Sequence, residues 1–165
     1  MEQRIIMKRI DQILSHPVFR EQFSLLQEAE KDRIFCRHTM EHFLDVARLM
    51  YIYNLEDQAG SKEMIYAAGL LHDIGRYEQM EKGTPHHLAG ARLAERILTD
   101  CDFSLTEQKS ILAAIRSHRV KDTAETPLFS RYLYRADKQS RNCLYCPARN
   151  ACNWPEEKMN LTICY

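Results

Sequence analysis

Residues 62–76 read KEMIYAAGLLHDIGR. From Met64 to Leu71 this stretch is apolar almost all the way round a helical projection, with none of the strict alternation a half-exposed strand needs. A helix apolar on every face belongs in the centre of a bundle. It ends on an adjacent His-Asp pair, His72-Asp73, and Gly75 just beyond is read as the usual helix stop.

Outward from this stretch the chain continues as helices. The 165 residues contain five glycines and five prolines, few breakers for that length, and apolar residues recur at three- and four-residue spacing. Two amphipathic helices are expected over Gln3–Leu14 and Val18–Ala29. A third is expected to start near Asp32 and run through FCRHTMEHFLDVARLMYIY, with His42, Val46 and Leu49 on one face and His38 one turn before His42. YEQMEKGTPHH reads as a loop, with Thr84 capping the next helix, Pro85 at its first position and His86 in its first turn, the helix running to about Leu98. Ser104 and Glu107 have capping-box spacing and start a helix through ILAAIRSH. A last helix carries PLFSRYLYRADKQSR. The remainder, NCLYCPARNACNWPEEKMNLTICY, reads as an irregular appendage.

Size and charge exclude several roles. One domain over residues 1–165 is expected, since the length suits one hydrophobic core better than two. Lysine plus arginine and aspartate plus glutamate each number 23, so there is no net field for a polyanion or an anionic membrane. A small ligand is expected in place of strong nucleic-acid binding. Nowhere does an apolar run reach the length of a membrane span or a signal-peptide core, so a cytoplasmic protein is expected. In that compartment Cys36, Cys101, Cys143, Cys146, Cys152 and Cys164 would be reduced thiols or metal ligands.

The chemistry resides in scattered histidines and aspartates. Histidine is the commonest metal ligand, and a His-Asp pair at a helix end can turn two donors toward one ion. His72-Asp73 has company: His42 or His38 on an inward helix face, His86 at a helix start, His118 at a helix end, and Asp137 behind Leu133. Each alone is an ordinary capping or surface group, but the five segments could converge on one pocket.

In order, the segments HFLDVARL, LLHDIGR, HHLAGA, AIRSHR and YRADK resemble the HD-domain superfamily, over about residues 35–141, with residues 142–165 as a C-terminal extension similar to one found in some bacterial members. The resemblance implies an all-α helical bundle and a metal-dependent phosphohydrolase acting on a nucleotide or another small phosphoester. It implies His42, His72, Asp73 and Asp137 for one metal, and His86 and His118, with Asp73 bridging, for a second. His42 is preferred to His38 because Val46-Ala47 follows it at the family's spacing, and His86 to His87 because Gly90 stands four positions on. Iron, manganese or nickel are the expected ions, with magnesium also compatible. Such cations acidify a water and draw charge off a phosphate. Asp73, Arg76 and Lys138 are then the expected catalytic groups, and Arg76, Lys138, Arg119, Arg141, His38 and His87 the expected substrate contacts, Arg76 foremost because its fork matches a phosphate. Two other readings accompany the family: a di-iron oxygenase and a non-catalytic nucleotide-binding module. HRVKDT after the later histidine lacks the G-Y-P of cyclic-dinucleotide phosphodiesterases, which argues against that substrate.

Cys143, Cys146 and Cys152 place three thiols within ten residues, and Cys36 precedes the first ligand segment. They are a candidate second metal site for a structural zinc or an iron-sulfur centre, against the plainer reading of buried thiols packed beside Trp154.

Overall fold

Ser61 starts the apolar stretch as a helix by accepting the Met64 amide at 3.3 Å, which satisfies one of the amides that a helix start leaves bare. The structure, a computed structural model, describes residues 6–165. Its helices are α1 (Lys8–Ser15), α2 (Pro17–Ala29), α3 (Met40–Asp57), α4 (Lys62–Leu71), α5 (Arg76–Lys82), α6 (His86–Asp100), α7 (Leu105–Ser117) and α8 (Leu128–Gln139). Short 3-10 turns at Arg149–Ala151 and Glu156–Lys158 follow. Among the described residues there is no strand, so the architecture is the all-α bundle that the periodicity predicts. No described helix is long and apolar enough to cross a membrane.

α4 is the central helix. Ile65, Ala67, Ala68, Leu70 and Leu71 are buried, and α3, α7, α1 and α6 pack around it. Each large side chain taken out of water there contributes about 1.5–3 kcal/mol. The α3–α4 crossing is very close: a Cβ on Gly69 would lie 2.6 Å from the Ala47 Cα and Cβ. Only a residue without a side chain lets the two backbones meet, and that meeting brings His42, five residues before Ala47, beside His72, three residues after Gly69.

Gly75 serves a different purpose from the expected helix stop. Its φ is −85°, open to any residue, but a Cβ would stand 2.3 Å from the Gly90 nitrogen and 2.4 Å from the His86 oxygen. Gly75 therefore lets the His-Asp turn lie flat against the first turns of α6. The expected loop after it is half helix: Arg76–Lys82 forms α5, closed by Gly83 in the left-handed conformation at φ 75°, the helix-ending role expected of Gly75. α5 has no fully buried residue, so its sequence carries no apolar stripe by which to recognise it.

Other boundaries also move. α1 begins at Lys8; of the expected start, Gln3 lies outside the described residues. α3 begins at Met40 rather than near Asp32, because Lys31 to Thr39 leaves the helical path and His38 is held there by the buried Glu30. Its last residue, Asp57, is followed by Gln58 at φ 54°, and the Asn54 amide clips both the nitrogen and the oxygen of Gly60 at 2.9 Å. Pro85, not Thr84, occupies the cap of α6, and no side chain caps that helix; its missing N–H falls where an amide would go unpaired in any case. α6 continues to Asp100 rather than ending at Leu98.

The capping box of α7 forms as its spacing predicts, with Ser104 and Glu107 bonding reciprocally. Glu107 also takes both ends of the Arg9 guanidinium, at 2.9 and 3.0 Å, while Arg9 pairs with Glu63 and lies over the Phe103 ring. One arginine thus pins α1 to the starts of α4 and α7. The Arg9 hydrogen bonds hold the Glu107 carboxyl at about 2, below its ordinary 4.5. A depressed carboxyl contributes stability that is present above its unfolded pKa and lost as pH falls through the folded value. Glu107→Gln is expected to cost about 1–2 kcal/mol at neutral pH, allowing for partial solvent screening. The difference from the parent should disappear as pH falls from 4.5 toward 2, which urea titrations at each pH would read.

Candidate metal centre

Each of the four expected histidine ligands has its Nδ1 tied back into the scaffold. At the C-terminal end of α4, His72 donates to the Gly69 carbonyl at 2.8 Å. At the end of α7, His118 donates to the Ile115 carbonyl at 2.6 Å. Both use a last-turn carbonyl that a helix end leaves without a partner. His86 Nδ1 meets the Gln79 amide oxygen at 2.6 Å. His42 Nδ1 meets the Ser140 hydroxyl at 3.2 Å, and since that hydroxyl donates to the Asp137 carbonyl, it accepts from His42. With each Nδ1 held in this way, each Nε2 is the atom aimed into the cluster, the orientation of metal-ligating histidines.

Those nitrogens converge on Asp73, itself only 1% exposed. His86 and His118 Nε2 stand 3.2 and 3.5 Å from its Oδ1, and His72 Nε2 stands 3.4 Å from its Oδ2. His42 and His72 Nε2 each lie 3.7 Å from Asp137 Oδ1. Two sets of buried donors result, His42/His72/Asp73/Asp137 and Asp73/His86/His118, each with its donor atoms all within 4.8 Å of one another. Asp73 belongs to both. The six residues singled out from sequence are therefore brought together, in the two groups and with the shared carboxylate that the resemblance implied.

The donor sets fit divalent cations. His42 Nε2, His72 Nε2 and Asp73 Oδ1 are buried and have no hydrogen-bond partner, an arrangement that costs about 1–3 kcal/mol per group unless something completes it. His86 and His118 point Nε2 at Nε2 across 3.2 Å, close enough for one cation to take both. A cation answers both conditions at once, with nitrogen and carboxylate donors of the kind that transition metals take.

Charge within the cluster is set by burial and by the two carboxylates. Burial, aided by Arg141 and His72, pushes His42 down to about 2, and burial with Arg76, His118 and Arg119 pushes His86 down to about 3. Burial would lift both carboxyls, yet His72 holds Asp73 and Asp137 well below the usual range. Burial also works against charging His72, but Asp73 and Asp137 outweigh it and bring it up to about 9. Below that value a proton occupies His72 and a cation must displace it. Metal affinity of the stripped protein is expected to rise roughly tenfold per pH unit up to about pH 9 and then level. Calorimetric titration with manganese would read this; affinity flat with pH would mean that His72 gives up no proton.

His38 also reaches the centre, though from the loop before α3 and not from a helix face. Its Nε2 is 3.3 Å from Asp73 Oδ2. Behind it Glu30 accepts from the His38 amide and meets its Nδ1, both at 2.7 Å, with both residues 2% exposed. No spacing or motif marks Glu30, and Gln79 and Ser140 were equally illegible as partners. His87 is half-buried beside His86 and outside both donor sets.

Above the centre lies a cavity of about 670 Å3 with His86, His118 and Asp137 in its wall. Arg76, Arg119, Lys138 and Arg141, all expected substrate contacts, line it together with Arg135, Trp154 and Lys158, which were not expected there. Arg76 Nε lies 3.3 Å from Asp73 Oδ1, Lys138 pairs with Asp137, and Arg141 Nη2 is 3.8 Å from Asp137 Oδ1. Trp154 and Lys158 come from the segment after α8, so that segment is part of the cavity wall. Cys36, Cys143, Cys146 and Cys152 line a neighbouring cavity that shares Arg76, Arg141 and Trp154 with this one.

Residues 39–142 match the family model described as HD domain. An uncharacterized protein of Clostridium beijerinckii is 43% identical over 137 residues, covering 82% of this chain and 85% of that one. Ribonuclease Y of Oleidesulfovibrio alaskensis is 31% identical over 106 residues, which is 62% of this chain but 18% of that enzyme's length. The crystal structure of a predicted HD superfamily hydrolase from an uncultured Thermotogales bacterium superposes with a TM-score of 0.61 at 24% identity, covering 88% of this chain and 83% of that one. At that identity the likeness speaks for the fold.

Proposed function

This chain belongs to the HD-domain family, and from that premise we propose that it is a metal-dependent phosphohydrolase acting on a nucleotide or another small phosphoester. The observation that carries this reading is the Asp73 carboxylate shared by two donor sets beneath a cavity lined by Arg76, Arg119, Lys138 and Arg141. His42, His72, Asp73 and Asp137 would hold one divalent cation and Asp73, His86 and His118 a second; bound there, they would supply Lewis acidity toward a water and a phosphoryl group.

The chain's own residues supply the remainder. Arg76 places a planar fork at the junction of Asp73 and the cavity, where it can take two phosphoryl oxygens at once. Lys138 and Arg141 flank Asp137 and hold the phosphate from that side of the centre, with Arg119 next to His118 in the chain. The Glu30-His38 pair keeps a second imidazole nitrogen beside Asp73, 3.3 Å from its Oδ2. Trp154 offers an aromatic face to a base or another flat leaving group. The zero net charge favours a compact substrate over a long polyanion. The partial likeness to a ribonuclease adds short phosphodiesters to the substrates worth screening.

The test is metal analysis of freshly purified protein, followed by a screen of nucleotides, short phosphodiesters and general phosphoesters with manganese, iron, nickel and magnesium. Turnover without oxygen, lost on chelation and restored by added metal, is expected. Oxygen uptake tied to iron would replace this reading with a di-iron oxygenase. Full metal retention with no turnover of any phosphoester would replace it with a nucleotide-binding module.

A further inference from the structure

Four of the six cysteines surround one space. Cys36 comes from the loop before α3, and Cys143, Cys146 and Cys152 from the segment after α8; together they line a cavity of about 150 Å3, the volume that in an engineered protein core holds a benzene ring. All four are free thiols, Cys143 buried and the others half-buried. The other two stand apart, Cys101 in the core and Cys164 exposed.

The spacing of the sulfurs discriminates between metals. Zinc bound tetrahedrally at about 2.3 Å would draw its sulfurs to roughly 3.8 Å from one another. Among the described residues, no three of these sulfurs lie within 4.8 Å of one another, although the same distance limit encloses both histidine-aspartate sets. The thiols face a space larger than one ion. Four cysteines, two of them in a C-x-x-C, are the ligand count of an iron-sulfur centre, and of the two-iron and four-iron forms the larger cubane suits a cavity with thiols on several sides.

The surroundings suit an anionic group. Arg33, Arg141 and Arg149 line the same cavity, and the Trp154 backbone N–H donates to Cys152 Sγ at 3.4 Å. Positive charge and hydrogen bonds to sulfur are the means by which a protein holds and tunes such a cluster.

We propose that Cys36, Cys143, Cys146 and Cys152 ligate a [4Fe–4S] cluster, each thiol losing its proton and binding one iron. The cluster ties the segment after α8 to the loop that carries His38, and its cavity shares Arg76, Arg141 and Trp154 with the cavity over the His/Asp centre. This inference does not depend on the phosphohydrolase reading.

The full chain should be purified without oxygen and assayed for iron, acid-labile sulfide, zinc and visible absorbance. About four sulfides per chain and a broad visible band bleached by dithionite are expected. Cys143→Ser with Cys146→Ser should remove sulfide and band while leaving the helical circular dichroism and the metal at His72 and Asp73. Cys164→Ser should change neither, and His72→Ala should lose catalytic metal while keeping the sulfide. A parent protein without labile sulfide, whether it holds one zinc at these cysteines or nothing, overturns the proposal, and that measurement needs no variant to fold. Sulfide that survives the double substitution overturns it as well.

Discussion

Asp73→Asn is expected to abolish turnover, by at least roughly a thousandfold, about 4 kcal/mol of transition-state stabilisation, and to release both ions. Asparagine preserves shape and volume but removes the charge shared by the two donor sets. Either set alone then lacks an ionised carboxylate at its junction, and the cations would repel each other across a neutral amide. The fold should survive. Removing one member of a buried ion pair commonly costs 3–5 kcal/mol, but here the partner is His72, which is held near 9 chiefly by Asp73 and can shed its proton when that carboxylate is gone. Metal content, phosphate release and circular dichroism on one preparation decide the matter. A folded Asp73→Asn protein that turns over normally would falsify the mechanism.

His118→Ala is expected to be milder and more informative. His118 belongs only to the Asp73/His86/His118 set, so bound metal should fall from about two ions per chain to about one, with turnover reduced roughly a hundredfold or more. Its Nδ1 bond to the Ile115 carbonyl lies at a helix end, where water can replace it. Alanine at His42 should show the opposite selectivity, emptying the set built on Asp137. If His118→Ala left metal content and rate unchanged, the second donor set would be a cluster of buried histidines and no more, and the chemistry would rest on one ion.

Much of this molecule is legible along the chain because its signals are local. The apolar run of α4 and the Ser104 capping box each depend on residues within a turn or two of one another. Where the reading failed, the cause was a contact with residues outside the element being read. α5 lacks an apolar stripe and is held in place by its neighbours. Lys31 to Thr39 is drawn off the helical path by the bond between Glu30 and His38. Gly75 resembles a helix stop until the α6 backbone is seen against it.

The sequence by itself determined the helical class, the order of the histidines and aspartates, and which of them to suspect, since periodicity and motif are written in neighbouring residues. That Asp73 is common to two donor sets, and that Cys36 meets Cys143, Cys146 and Cys152 around one cavity, was settled only by tertiary contact. Those facts depend on two glycines that let backbones touch and on side chains meeting across up to a hundred or so residues of chain, distances over which no local pattern carries information.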